Sequence, residues 1–157
     1  MRNIEKLCYT YRHRKIVIYL AKKYMNDEKL LRRLEEHDLD KMYLLLFYQK
    51  KDIEGIHRKL SNHHDNDIEK DYLDYVEMVL DWESARYTKP DKPLNAYDTL
   101  YRFYPQLEKK ILPILEKFGI AKSNMPFDQD VMNYANLLKD VSVDQIKDEL
   151  INFIKKY

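Results

Sequence analysis

Two glycines in a chain of 157 residues, Gly55 and Gly119, restrict the accessible folds more than any other feature of this sequence. Tight β-hairpins need glycine for positive φ, and phosphate-cradling loops need it for close backbone approach. No Walker-type loop and no G-x-G-x-x-G run is present. The expectation is therefore helical, not β-rich or Rossmann-like.

Apolar periodicity supports that expectation. From Ile4 to Tyr24, Leu7, Tyr11, Ile18 and Ala21 fall on one stripe of a long helix, with Val17 and Leu20 beside them. Asn26 and Asp27 can cap a second helix over Glu28 to Glu36. A third is expected from about Asp40 to Lys51, and a fourth from Ile53 to about Asn62. Asp67 reads as the cap of a fifth, about Ile68 to Arg86, with Leu73, Val76, Leu80 and Ala85 on one face. After the loop Lys89-Pro90-Asp91-Lys92-Pro93, Asn95 can cap a sixth helix through Leu100, Phe103 and Leu107, which Pro105 should kink or split. Pro113 should bend the next one, Leu107 to Phe118. Short helices are then expected from Pro126-Phe127-Asp128 to Lys139 and from Ser142 to the C-terminus. With no internal repeat and no low-complexity linker, this reads as one all-α domain over residues 1–157, a bundle of about seven or eight helices.

Composition narrows the function. Hydrophobic residues at 45% and charged residues at 35% describe a folded globular chain and not a disordered one. A net charge of +1 with dispersed basic residues argues against a general nucleic-acid binder. The 14 tyrosines are spread through the whole chain, as core-edge residues are, and form no base-stacking platform. The single cysteine, Cys8, rules out an intramolecular disulfide. The opening Met-Arg-Asn-Ile-Glu-Lys has no apolar run of leader-peptide length, and the longest apolar stretch, Met42 to Tyr48, is too short to span a bilayer. The expected setting is cytoplasmic, without a membrane partner.

All five histidines lie between His13 and His64. His37 and Asp38 are adjacent, and Lys41 follows one helical turn after His37. His57 and His64 are seven apart, with His63 beside the latter. Glu77 and Asp81 lie one turn apart on the fifth helix. Imidazole nitrogens and carboxylate oxygens together suit borderline divalent metals: Mn, Fe, Co, Ni or Zn. Such an ion lowers the pKa of a bound water and polarises a phosphoryl oxygen, both of which phosphoester hydrolysis needs. A lysine one turn away can meet phosphate as a point charge.

His13 with Val17, then His37-Asp38-Leu39-Asp40-Lys41, His57, His63-His64 and a late acidic residue together resemble the HD-domain metal-dependent phosphohydrolase superfamily, whose signature is H…HD…D. The combination HD-x-x-K, HH and Glu77-Met78-x-x-Asp81-Trp82 is similar, more closely, to a small bacterial and phage family of unassigned function. The resemblance covers roughly residues 10 to 90; residues 91–157 would be a C-terminal helical extension packed on that core. It implies metal ligands at His13, His37, Asp38 and either Asp81, the first choice, or Glu77. It implies a second metal at His57, His63 and His64. Lys41 would lie near substrate phosphate, and Asp38 or a histidine just outside the ligand set would steer a proton of the metal-activated water. The cofactor is then one or two divalent transition-metal ions, and the partner a small phosphorylated or nucleotide substrate.

Each of these residues has a plainer reading. His13 could be a surface histidine on a basic turn, His57 the polar side of its helix, and His63-His64 a helix C-cap. Glu77 could be a surface partner of Lys70. Arg12 could sit on a solvated face or meet an anionic substrate. Arg86 could pair with Asp81 or reach a phosphate. Two functions are expected from the whole: a metal-dependent phosphohydrolase, or a non-catalytic helical module that binds metal or nucleotide. Asn95 to Tyr157 is a candidate homodimer surface.

Overall fold

A computed structural model describes residues 3–36, 39–47, 70–89, 91 and 94–155. Among the described residues are eight α-helices, one 3-10 turn and no strand: α1 (Asn3–Tyr24), α2 (Glu28–Glu35), α3 (Leu39–Phe47), α4 (Tyr72–Thr88), α5 (Ala96–Phe103), the turn Pro105–Leu107, α6 (Glu108–Phe118), α7 (Gln129–Leu138) and α8 (Val143–Lys155). The chain is an all-α bundle. The helix expected over Ile53 to Asn62 lies outside the described residues.

Local chemistry explains most of the boundaries. The Asp27 side chain accepts from the Leu30 N–H at 2.9 Å, and Asn95 from Asp98 N–H at 2.9 Å. Asp128 accepts from the N–H groups of Asp130 and Val131. Ser142 and Gln145 form a reciprocal capping box, at 3.2 and 2.8 Å. The sixth expected helix breaks before Pro105, into α5 and the 3-10 turn, and α6 is the helix expected after it. Pro113 lies inside α6 on its exposed side without interrupting it. The fifth expected helix begins later than Asp67 suggests. Lys70 and Asp71 are non-helical, and Asp71 caps α4 by exchanging bonds with Asp74, both at 2.8 Å.

Helices α1 and α4 form the centre. α1 packs on α2, α3, α4, α7 and α8, and α4 also packs on α2, α5, α6 and α7. The buried stripe of α1 is wider than expected and turned towards Ile16: Leu7, Tyr11, Ile16, Val17, Leu20 and Ala21 are buried, whereas Ile18 is half-exposed. In α4, residues Val76 to Leu80 are buried without a break, and Leu73 and Ala85 lie at the margin. Asp74, Glu77 and Glu83 are buried on the same helix, so these acids need partners. Arg33 of α2 supplies one guanidinium to Asp71, Asp74 and Glu77, the last at 3.0 Å. Glu83 accepts from the Ala96 N–H at 2.9 Å, and burial raises its carboxyl above the usual range.

Candidate functional site

His13 projects from the middle of α1 into the seam with α4 and is only 6% exposed. The plainer reading of His13, a surface histidine on a basic turn, fails there. Its Nε2 is in hydrogen-bond contact with the Asp81 carboxylate, from a residue 68 positions away in sequence. The Asp81 side chain is 15% exposed, so it has both a buried flank and an edge open to solvent. On the other side of the ring, Nδ1 lies 2.9 Å from Ser84 Oγ, which in turn lies 2.8 Å from the Asp81 carbonyl oxygen. Tyr9, one turn before His13 on α1, stacks on the imidazole with centroids 6.0 Å apart and planes 14° apart. The ring is thus held at both nitrogens and on a face.

Two lysines meet at Tyr9. Lys41 Nζ of α3 lies 6.0 Å from the Tyr9 ring centroid, and Lys89 Nζ, at the end of α4, lies 5.1 Å from it. The Lys41 ammonium is thereby one ring away from the His13–Asp81 pair. Both are cation–π distances, and they bring positive charge to the side of the pair where α1, α3 and the end of α4 converge.

The remaining expected residues divide into three groups. His37, Asp38, His57, His63 and His64 lie outside the described residues. Glu77 is buried and held by Arg33, so it is neither a surface residue nor a neighbour of His13 in the described bonding. Arg86 is buried: its guanidinium donates to the Met125 carbonyl at 2.7 Å, lies 3.9 Å from Glu83 and stacks 4.1 Å over the Phe127 ring. That places it between α4 and the segment before α7, bonded to neither Asp81 nor the seam at His13. Arg12 is half-buried on α1. Among the described residues no group of three His, Cys, Asp or Glu is set to hold a metal.

No known protein family, curated protein or solved structure matches this chain.

The chemistry of the pair follows from its donors. Imidazole Nε2 and a carboxylate oxygen in contact are either a closed hydrogen-bonded pair or two ligands facing one point. Ser84, His13 and Asp81 also resemble a nucleophilic triad in composition, but the arrangement cannot act as one. Ser84 Oγ faces Nδ1 and the carboxylate faces Nε2, the reverse of the order a serine hydrolase uses. Ser84 is also 0% exposed, so no substrate can approach its oxygen.

Sequence reasoning missed Ser84, Tyr9, Lys89 and Arg33. Ser84 and Tyr9 carry a faint signal, since each lies one turn from an expected ligand on the same helix: Ser84 is three residues after Asp81, and Tyr9 four before His13. Lys89 and Arg33 carry none, because only packing brings their helices to these partners.

Proposed function

We propose that this chain is a metal-dependent phosphohydrolase acting on a nucleotide or another small phosphoester in the cytoplasm. His13, His37, Asp38 and Asp81 would hold a divalent ion of the Mn, Fe, Co, Ni or Zn class, with His57, His63 and His64 available to a second. The reading is carried by one juxtaposition: the first histidine and the last aspartate of the H…HD…D pattern, on α1 and α4, meet side chain to side chain. A mixed nitrogen and oxygen donor set fits these ions. When bound, such an ion lowers the pKa of a water and polarises a phosphoryl oxygen.

The chain's own residues do the rest. Asp81 and His13 fix one side of the site from two helices of the bundle centre, so their separation is set by the packing of α1 on α4. Lys41, beside Tyr9, brings a point charge to the substrate phosphate, and Asp38 or a histidine just outside the ligand set would take the proton of the attacking water as the bond from phosphorus to the leaving oxygen breaks. Arg86 is left out of substrate binding, because its guanidinium is buried against the Met125 carbonyl and Glu83.

The test is elemental analysis of protein purified without a histidine tag. Wild type should carry about one or two equivalents of metal, and Asp38→Ala and Asp81→Ala should lose it, whereas Glu77→Gln should keep it. Lys41→Ala should keep the metal and lose hydrolysis of phosphomonoesters or diesters by about 100-fold. A non-catalytic module would hold metal and leave every phosphoester intact. Wild-type protein that neither contains nor takes up metal overturns the reading altogether.

A further inference from the structure

We infer that Ser84 is the positioning residue of His13, a hydroxyl that keeps the ring fixed whichever ring nitrogen carries the proton and so delivers Nε2 to the metal; the inference rests on the metal reading above. Ser84 Oγ is fully buried in the α1–α4 seam, 2.9 Å from His13 Nδ1 and 2.8 Å from the Asp81 carbonyl oxygen. These two contacts and one hydroxyl proton admit two arrangements. In the first, the hydroxyl donates to Nδ1, while Nε2–H donates to the Asp81 carboxylate. In the second, the hydroxyl donates to the Asp81 carbonyl and its oxygen accepts from Nδ1–H. Nε2 is then without a proton and presents its lone pair on the side where the Asp81 carboxylate lies.

A ligating histidine needs the second arrangement, and a metal-free pair with Asp81 needs the first. Conversion of one into the other takes rotation of the buried O–H together with exchange of the ring proton, lost from Nε2 and gained at Nδ1. An acceptor-only side chain at this place would serve just the second arrangement, and alanine would serve neither. Tyr9 stacked on the ring face restrains its tilt, and loss of Ser84 would remove the bond that fixes the buried Nδ1 side of the ring. The same residue thus ties the ligand to the helix that carries the other ligand, because Ser84 and Asp81 are one turn apart on α4.

Zinc affinity, measured by competition with a chromophoric chelator on wild type, Ser84→Ala and Ser84→Thr, tests this. Ser84→Ala should bind Zn2+ about 10- to 100-fold more weakly, and Ser84→Thr, which keeps the hydroxyl, should stay close to wild type. Long-range proton–nitrogen NMR of the wild type provides a reading that needs no variant. On addition of Zn2+, His13 Nδ1 should be the protonated nitrogen. Equal affinity of wild type and Ser84→Ala, or an unprotonated Nδ1 in the zinc form, overturns the inference and leaves the metal reading standing. Wild type that binds no Zn2+ overturns both.

Discussion

Glu149 shows how much one side chain can do in this bundle. From α8 it accepts from the Tyr11 hydroxyl and, at 2.9 Å, from Lys15 Nζ, both on α1. Burial pushes its carboxyl upward, but the bonds from Tyr11 and Lys15 and the charges of Lys15 and Arg14 prevail and hold it below the ordinary 4.5. Tyr11, desolvated and facing this carboxylate, is pushed well above its usual value and stays a donor. The sign of the pH effect follows. A carboxyl whose pKa is depressed on folding stabilises the protein above its unfolded pKa, and that stabilisation disappears as pH falls through the folded value. Wild type should therefore unfold at higher urea than Glu149→Gln at pH 7. The difference should close as pH is lowered beneath about 4.5, read from urea midpoints of the two proteins across that range.

At the scale of the element, Gly119 ends α6. Its φ of 72° places it in the left-handed region, and Ile120 N–H reaches back to the Leu115 carbonyl at 2.9 Å, closing the last turn. A Cβ at this position would meet nothing within 4 Å, so substitution incurs backbone strain without a clash. Gly119→Ala should cost about 1 kcal/mol, and Gly119→Asn less, because asparagine tolerates this conformation better. Chemical denaturation of the two variants measures the difference. A second end, that of α4, is set by the Asp71–Asp74 capping box, in which Asp71 also meets Arg33 of α2. Asp71→Ala should cost at least the usual cap energy of about 1 kcal/mol, readable in the same way.

On the scale of the whole molecule, α4 joins the two halves of the chain, and Arg86 is the polar pin. It is buried, reaches the Met125 carbonyl and stacks on Phe127, while Glu83 on the same helix binds the Ala96 N–H at the start of α5. Tyr87, whose hydroxyl burial pushes up to about 12, completes the junction by accepting from the Asp128 N–H at 2.9 Å. Arg86→Ala would leave Glu83 buried beside no cation and the segment before α7 untied. The expected loss is on the order of 3 kcal/mol, seen as a lower urea midpoint. Retention of any bound metal under native conditions would separate this structural role from a role in the site. Leu80→Ala, in the fully buried run of α4, should cost a similar 2–5 kcal/mol, about what an unfilled cavity costs elsewhere, by the same measurement.

The sequence by itself determined the helical class and most boundaries, because these depend on interactions within a few residues. Scarce glycine, 3.6-residue apolar periodicity, the Asp27, Asn95, Asp128 and Ser142 caps and the break at Pro105 all act locally. Where a nearer competitor existed the reading slipped, as at Asp67, displaced by Asp71 with its capping-box partner Asp74. The histidine and acidic residues of the candidate site were legible as a list of types and spacings. Their mutual arrangement was not. Periodicity identifies a buried face but not the helix that covers it, so only tertiary packing decided that Asp81 faces His13 while Glu77, one turn earlier, faces Arg33. The same packing turned Arg86 inward and set Ser84 beneath the imidazole. Each of these outcomes depends on how one helix is rotated against another, a relation that no spacing along a single helix contains.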